Sequence, residues 1–398
     1  GIERLVLMHD EPVTYAMFNK DESKLLTISG DNKLTIWDSQ SGNKLHTLTE
    51  WAHVNHVSWN PTNNLILTGT ERNAAIWDGD TGEWLQLLDH EGPVLEATWN
   101  QDQSLILTAG GDGLARVWDA QTGQRVLSLR HGGQVRTAKW INGERRIITC
   151  CGNDAVRIWD STTGEELFSL DHSGVGRLTW ISDESVVFTA GNDGSVRGWD
   201  MASGVLLYSL PHDDVMADLI LSPDEKYLLT AGFNYGIGKV WNLEIQNEIF
   251  SLDHPYAIGG ALWSPDGSTI LTYNSEGGVV VAWDAMTGKM LYTFEHNDEW
   301  IDGAGFNQDG SQILVYGGDS MATLWDAATG DLLFSMQHGG YVPYATWNQD
   351  ESQIITVSSD GSVGIWDIQP GREKPSFVHG EVVTDSRWNK SGDKVLTA

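Results

Sequence analysis

Cysteine is nearly absent from this chain of 398 residues: the only two are neighbours, Cys150 and Cys151. Adjacent strand residues point to opposite faces, so a disulfide between them would need a distorted backbone. Without a cysteine framework the chain suits a reducing compartment, and a cytoplasmic location is expected. Basic residues are scarce as well. Lys and Arg number 24 against 55 Asp and Glu, a formal charge of −31. A phosphate backbone needs clustered Lys and Arg, so nucleic acid is disfavoured as a partner, and an anionic membrane surface equally. The carboxylate surplus describes an acidic, solvated surface. No apolar run reaches transmembrane length and no signal peptide is recognisable.

What the chain has in place of these features is repetition. The stretch Leu105 to Val135, LILTAGGDGLARVWDAQTGQRVLSLRHGGQV, serves as a template. An apolar run ends in Thr108, a Gly-Asp-Gly turn follows, and a second run closes on Trp118-Asp119. Then come a Thr122-Gly123 turn, a third run, and a loop carrying His131. Alternating apolar and β-branched positions between such turns predict short antiparallel strands. The closing tryptophan recurs at Trp37, Trp77, Trp118, Trp159, Trp199, Trp241, Trp283, Trp325 and Trp366, at intervals of 40 to 42 residues. Asp follows each except Trp241, and Gly stands five residues beyond each except Trp241, suiting a turn that needs positive φ. A period of this size with about four short strands is that of a propeller blade.

These residues resemble the WD-repeat (WD40) β-propeller family, and the likeness covers essentially the whole chain. The resemblance implies a hydrogen-bonded set in each blade: a His before strand a, a Thr on strand b, an Asp in the b-to-c turn, and the Trp on strand c. It maps onto His9, Thr27, Asp31 and Trp37; His90, Thr108, Asp112 and Trp118; His172, Thr189, Asp193 and Trp199; and His338, Thr356, Asp360 and Trp366. Repeat four has His131, Thr149 and Trp159, with Asp154 one residue nearer the Trp. Repeat two has Glu50 and Glu71 for His and Asp; repeats six and seven put Asn234-Tyr235 and Glu276-Gly277 in the turn; repeat eight has Val315 for Thr. Those four blades are expected to lean on packing more than on polar bonds. The fold expected is therefore all-β, a WD40 β-propeller of four-stranded antiparallel blades. Nine repeats are complete and a tenth is partial, in one continuous array over residues 1–398. One large ring and two adjoining propellers are both compatible with it, and the chain reads as an excerpt of a longer protein with flanking domains.

Of the 19 tryptophans, nine close strand c and seven (Trp59, Trp99, Trp140, Trp180, Trp263, Trp347, Trp388) end strand a, as inter-blade packing. Only Trp51, Trp84 and Trp300 fall outside both sets. Nine histidines share one repeat position, which is structural rather than catalytic. His53 and His56 have a metal-like spacing, but no Cys or carboxylate set accompanies them. Gly232 to Lys239 (GFNYGIGK) misses the phosphate-loop spacing and no helix follows. The Asp-Gly turns at 112–113, 193–194 and 360–361 need no ion to explain them. No catalytic set stands out, so the expectation is a non-enzyme without cofactor or metal.

What varies between repeats is the rim, where scaffolded loops carry recognition. It holds Trp51 in repeat two, then Phe233, Tyr235, Tyr256, Trp300, Tyr341 and Tyr344 in repeats six to nine. Tyr15, His56, Glu96, Arg136, Arg177, Asp218, Asp302 and Asp385 are expected around the opening. Exposed Trp and Tyr beside charges suit a protein or peptide partner. The function expected is a protein–protein interaction module, the sensing or scaffolding part of a larger signalling-type protein of the bacterial kind. The alternatives are a purely structural scaffold and a propeller enzyme with a site at its channel.

Overall fold

The computed structural model describes residues 13–20, 23–29, 32–38, 41, 43–50, 52–60, 62–141, 143–151, 155–172, 174–212, 214–274, 277–295, 300–347, 351, 353–357, 362–367, 377–378, 386–388 and 395–397. Among them the regular structure is strand alone. Nine four-stranded sheets follow one another, each a meander in which neighbours in sequence pair antiparallel, and a two-stranded sheet (Ser386–Trp388, Val395–Thr397) comes last. We call the sheets blades one to nine and their strands a to d. Blade three is representative: a is Val94–Trp99, b Leu105–Gly110, c Leu114–Asp119 and d Arg125–Arg130.

The turn chemistry explains the Trp-Asp pair. Asp119 Oδ1 accepts from the Thr122 N–H at 2.7 Å, the Thr122 hydroxyl at 2.8 Å and the Gln121 N–H at 3.1 Å, closing the c-to-d hairpin. Gly123 completes it at φ +66°. Blade six lacks both the Asp and the Gly, yet the turn persists. Asn242 Oδ1 accepts from the Glu244 and Ile245 N–H groups, and Gln246 takes the left-handed position at φ +56°. Asn and Asp side chains bond their own turn backbone in the same way, so the exchange costs the hairpin little. The c–d ladder of blade three shifts register just before its tryptophan, between Val117 and Trp118, and blade two does the same between Ile76 and Trp77.

The core lies between blades. Leu67, Ala74, Ile76 and Leu88 of blade two pack on Val94, Ala97, Ile106 and Trp118 of blade three. Ile148, Val156, Ile158 and Leu170 of blade four likewise meet Val187 and Trp199 of blade five. A single blade buries neither face alone, so stacked neighbours supply the stability. The chain divides into two compact units, Phe18–Leu26 with Asp31–Pro211, and Gly1–Met17 with Thr27–Gly30 and His212–Ala398.

Both cysteines are buried thiols at the end of strand b in blade four. Burial pushes the Cys150 thiol up to about 11, with nearby Arg136 opposing. Cys150 and Cys151 are therefore expected to resist a thiol-reactive dye in the native protein at mildly alkaline pH and to react once denaturant is added. Fast native labelling would contradict this packing.

Candidate protein-interaction surface

The polar sets that hold the loops are visible blade by blade. In blade three the Thr108 hydroxyl accepts from Trp118 Nε1 at 2.9 Å and lies 2.8 Å from His90 Nε2. Arg116 donates to His90 Nδ1 and to Asp112 Oδ2, which assigns the remaining ring proton to Nε2, toward Thr108. Burial, then the Arg116 charge, holds His90 down at about 4, so the ring is neutral. In blade five His172 sits 2.7 Å from Thr189 and 3.2 Å from Asp193, while Trp199 donates to Thr189 at 2.9 Å. His131, Thr149 and Trp159 in blade four, and His338, Thr356 and Trp366 in blade nine, make the same His–Thr–Trp chain. Thr27 and Trp37 of blade one are buried; His9, Asp31, Asp154 and Asp360 lie outside the described residues.

The four irregular blades were expected to lean on packing more than on polar bonds. Among the described residues both ring nitrogens of His212 and Nε2 of His254 have no hydrogen-bond partner, so blades six and seven lack the His–Thr bond, while other polar bonds persist. In blade two Glu50 takes the His place, accepting from the Thr68 hydroxyl and from Trp77 Nε1. In blade six Asp214, before strand a, holds the opposite turn. Its carboxylate accepts from the Asn234 and Tyr235 N–H groups, both at 3.0 Å, and from Asn234 Nδ2 at 2.7 Å. In blade seven Trp283 donates to Thr272, while His254 accepts from the Tyr256 N–H at 3.2 Å. In blade eight, where Val315 lacks a hydroxyl, Trp325 donates to Thr323 on its own strand at 2.8 Å. What survives in all four blades is an acceptor for the strand-c indole N–H.

This rewiring surrounds the exposed aromatics of blades six to nine. Phe233 and Tyr235 stand on the turn that Asp214 holds, 48% and 71% exposed. Tyr256, Trp300 and Tyr341 are exposed on the loops leading into blades seven, eight and nine. Trp300 and Tyr341 pair in a tilted arrangement, centroids 6.1 Å apart and planes at 56°. Glycine lets these rings lie flat on a turn: a Cβ at Gly318 would come within 2.8 Å of the Trp300 ring, and one at Gly277 within 3.2 Å of the Tyr256 ring. Trp300 Nε1 donates to Asp302 Oδ2 at 3.2 Å. Burial raises the Asp302 carboxyl, and that bond opposes the rise.

Tyr344 differs. It is half-buried at the start of strand a of blade nine and stacks edge-on against Tyr316 at 6.2 Å. Tyr316 was not singled out in the sequence, nor was Tyr273. Both stand on strand b opposite a glycine of strand a, Gly303 and Gly260. Burial raises both phenols, Tyr316 to about 12. The sequence signal was present: blades three to six pair a small strand-b residue with a larger one, as in Ala109–Glu96 and Ala231–Asp218, and blades seven and eight invert it. Of the other opening positions, Glu96 binds Lys139 and the Ala138 N–H. Tyr15 and Asp385 have no described side chain, and Trp51 lies outside the described residues. Among the described residues no three of His, Cys, Asp and Glu are grouped to hold a metal, and no helix is long and apolar enough to cross a membrane.

Residues 42–78, 82–119, 123–160 and 164–200 match the family described as WD domain, G-beta repeat. Residues 238–376 match a second family, described as outer membrane protein assembly factor BamB. No curated protein matches. Among solved structures, the computationally designed Ika8 protein has a TM-score of 0.56 and 20% identity, over 92% of this chain and 100% of that one. At that identity the likeness is of fold alone.

Proposed function

We propose, from the premise that this chain belongs over residues 42–200 to the WD40 repeat family, that it is a non-catalytic protein-interaction module, and that it forms the sensing or scaffolding part of a larger cytoplasmic protein. One observation carries the reading: Phe233, Tyr235, Tyr256, Trp300 and Tyr341 stay exposed in one compact unit, the first three on turns held by partly buried hydrogen bonds. Rigid aromatic side chains give large contact area for little lost entropy, which is how interface hot spots work. The partner is a protein or peptide; the acidic composition speaks against nucleic acid. A catalytic role has no counterpart in the side-chain groupings described above.

The experiment is a pull-down from host lysate with the chain and with the triple variant Trp300→Ala, Tyr256→Ala, Tyr341→Ala. The expected outcome is a protein retained by the wild type and lost by a variant with an unchanged unfolding midpoint. Retention that survives all three substitutions would remove this surface from the mechanism. A variant that fails to fold would show that the rings serve packing.

A further inference from the structure

Blade two departs from blades three to six at three places on one face. Two residues before the strand-c tryptophan, blades three to six carry Arg116, Arg157, Arg197 and Lys239. Each cation lies along the blade face and pairs with a carboxylate: Arg116 with Asp112 at 2.7 Å, Arg157 with Glu166 at 3.1 Å, Arg197 with Asp193 at 2.8 Å, Lys239 with Glu248 at 3.1 Å. In blade two that position is Ala75. Its cross-strand partner is Leu87, where Arg116, Arg157, Arg197 and Lys239 face serine. Opposite Trp77, furthermore, stands a second indole, Trp84.

The truncation at Ala75 leaves a cavity of about 390 Å³ lined by Trp77, Trp84, Leu87, Glu50, Thr70 and Asn73, among others. Its walls are indole and aliphatic carbon. Glu50 presents a carboxylate there whose Oε1 holds Thr68 and Trp77, with Oε2 unengaged among the described residues. Arg72 is exposed at the lining, and no ion pair joins it to Glu50 among the described residues.

We propose that this cavity is a binding site for an arginine side chain supplied by a peptide or protein partner. Blades three to six show the occupant's chemistry, because there the chain itself fills the equivalent space with a long cationic side chain next to a carboxylate. In blade two the cation is missing, a carboxylate comes from a different place (Glu50, at the His position), and the indole of Trp84 stands where Glu166 and Glu248 stand in blades four and six. A guanidinium on an aliphatic stem meets all three: its plane stacks on indole, its stem covers Leu87, and its N–H groups reach Glu50. The site goes beyond the aromatic surface proposed above and shares no residue with it.

The test uses the full chain labelled with 5-fluorotryptophan, with the Trp84 resonance assigned from Trp84→Phe. It is titrated with acetyl-Gly-Arg-Gly-amide and with the same peptide carrying citrulline, which keeps the shape and loses the charge. The arginine peptide is expected to shift the Trp84 resonance saturably, and the citrulline peptide to bind about tenfold more weakly or less. Ala75→Arg restores the neighbours' side chain and is expected to abolish the shift. Glu50→Gln keeps an oxygen acceptor for Thr68 and Trp77 and is expected to weaken binding about tenfold. Equal affinity for arginine and citrulline, or an undiminished response in a folded Ala75→Arg variant, would overturn the proposal. Should Ala75→Arg not fold, the citrulline comparison and Glu50→Gln decide it.

Discussion

Thr108→Val is expected to destabilise the protein by roughly 2–5 kcal/mol, although it preserves the shape of the side chain. The reason is the number of partners one hydroxyl serves. Thr108 Oγ1 accepts from Trp118 Nε1 and from His90 Nε2, and it lies 3.4 Å from the Arg116 carbonyl. All of these groups are buried, so none can turn to water when the hydroxyl is removed. Each orphaned buried donor costs about 1–3 kcal/mol, more than a made bond contributes. Blade eight supplies the internal comparison. There the strand-b residue is Val315 and, among the described residues, the indole donates to Thr323, so Thr323→Val strands one donor and is expected to cost about 1–3 kcal/mol. Urea unfolding of both variants measures the difference. A Thr108→Val loss below that of Thr323→Val would mean that the network is ornamental beside the packing of Leu107, Val117 and Leu129.

How much of this was legible follows from what repetition can carry. The blade, its four strands and the Trp–Thr–His chain were readable because each residue recurs at a fixed offset. Substitutions within that pattern are only partly legible: the His–Thr bond is missing in blades six and seven as the pattern implies, while each strand-c indole keeps an acceptor. Glu50 for His, Asp214 across from Asn234, and Thr323 for the hydroxyl absent at Val315 keep the bond and change its donor or acceptor. A one-dimensional template cannot show that two positions face each other. Paired strands can: the glycines at 260 and 303 gain meaning only against Tyr273 and Tyr316. The cavity beside Ala75 was hidden for the same reason, because Ala in a strand is unremarked until the arginines of adjacent blades show what it replaces.

Stability is expected to fall steeply on acidification from pH 6.5 toward pH 4, before most carboxylates titrate. Unfolded, His90 binds its proton near 6.5; folded, burial and Arg116 delay that to about 4. Within that interval the unfolded state holds the extra proton, so each step down in pH favours unfolding. The stabilisation is whole above 6.5 and is lost as the pH falls through the window, roughly 3 kcal/mol for this one ring. His172, His212 and His254 are lowered by burial as well, and they add in the same direction. Glu50 acts oppositely: raised by burial, it binds its proton earlier in the folded protein and offsets part of the loss just above 4.5. In spite of burial, Asp112 is held below 3.8 by the Glu91 N–H and Arg116, and Asp193 by the Ser195 hydroxyl, His172 and the Ser195 N–H, so their contribution disappears only at lower pH. Urea midpoints followed across this range should therefore drop most between 6.5 and 4, and the drop should be shallower in His90→Gln, which can still donate toward Thr108 but does not titrate. A flat profile, or an equal slope in His90→Gln, would place the acid sensitivity outside the buried imidazoles.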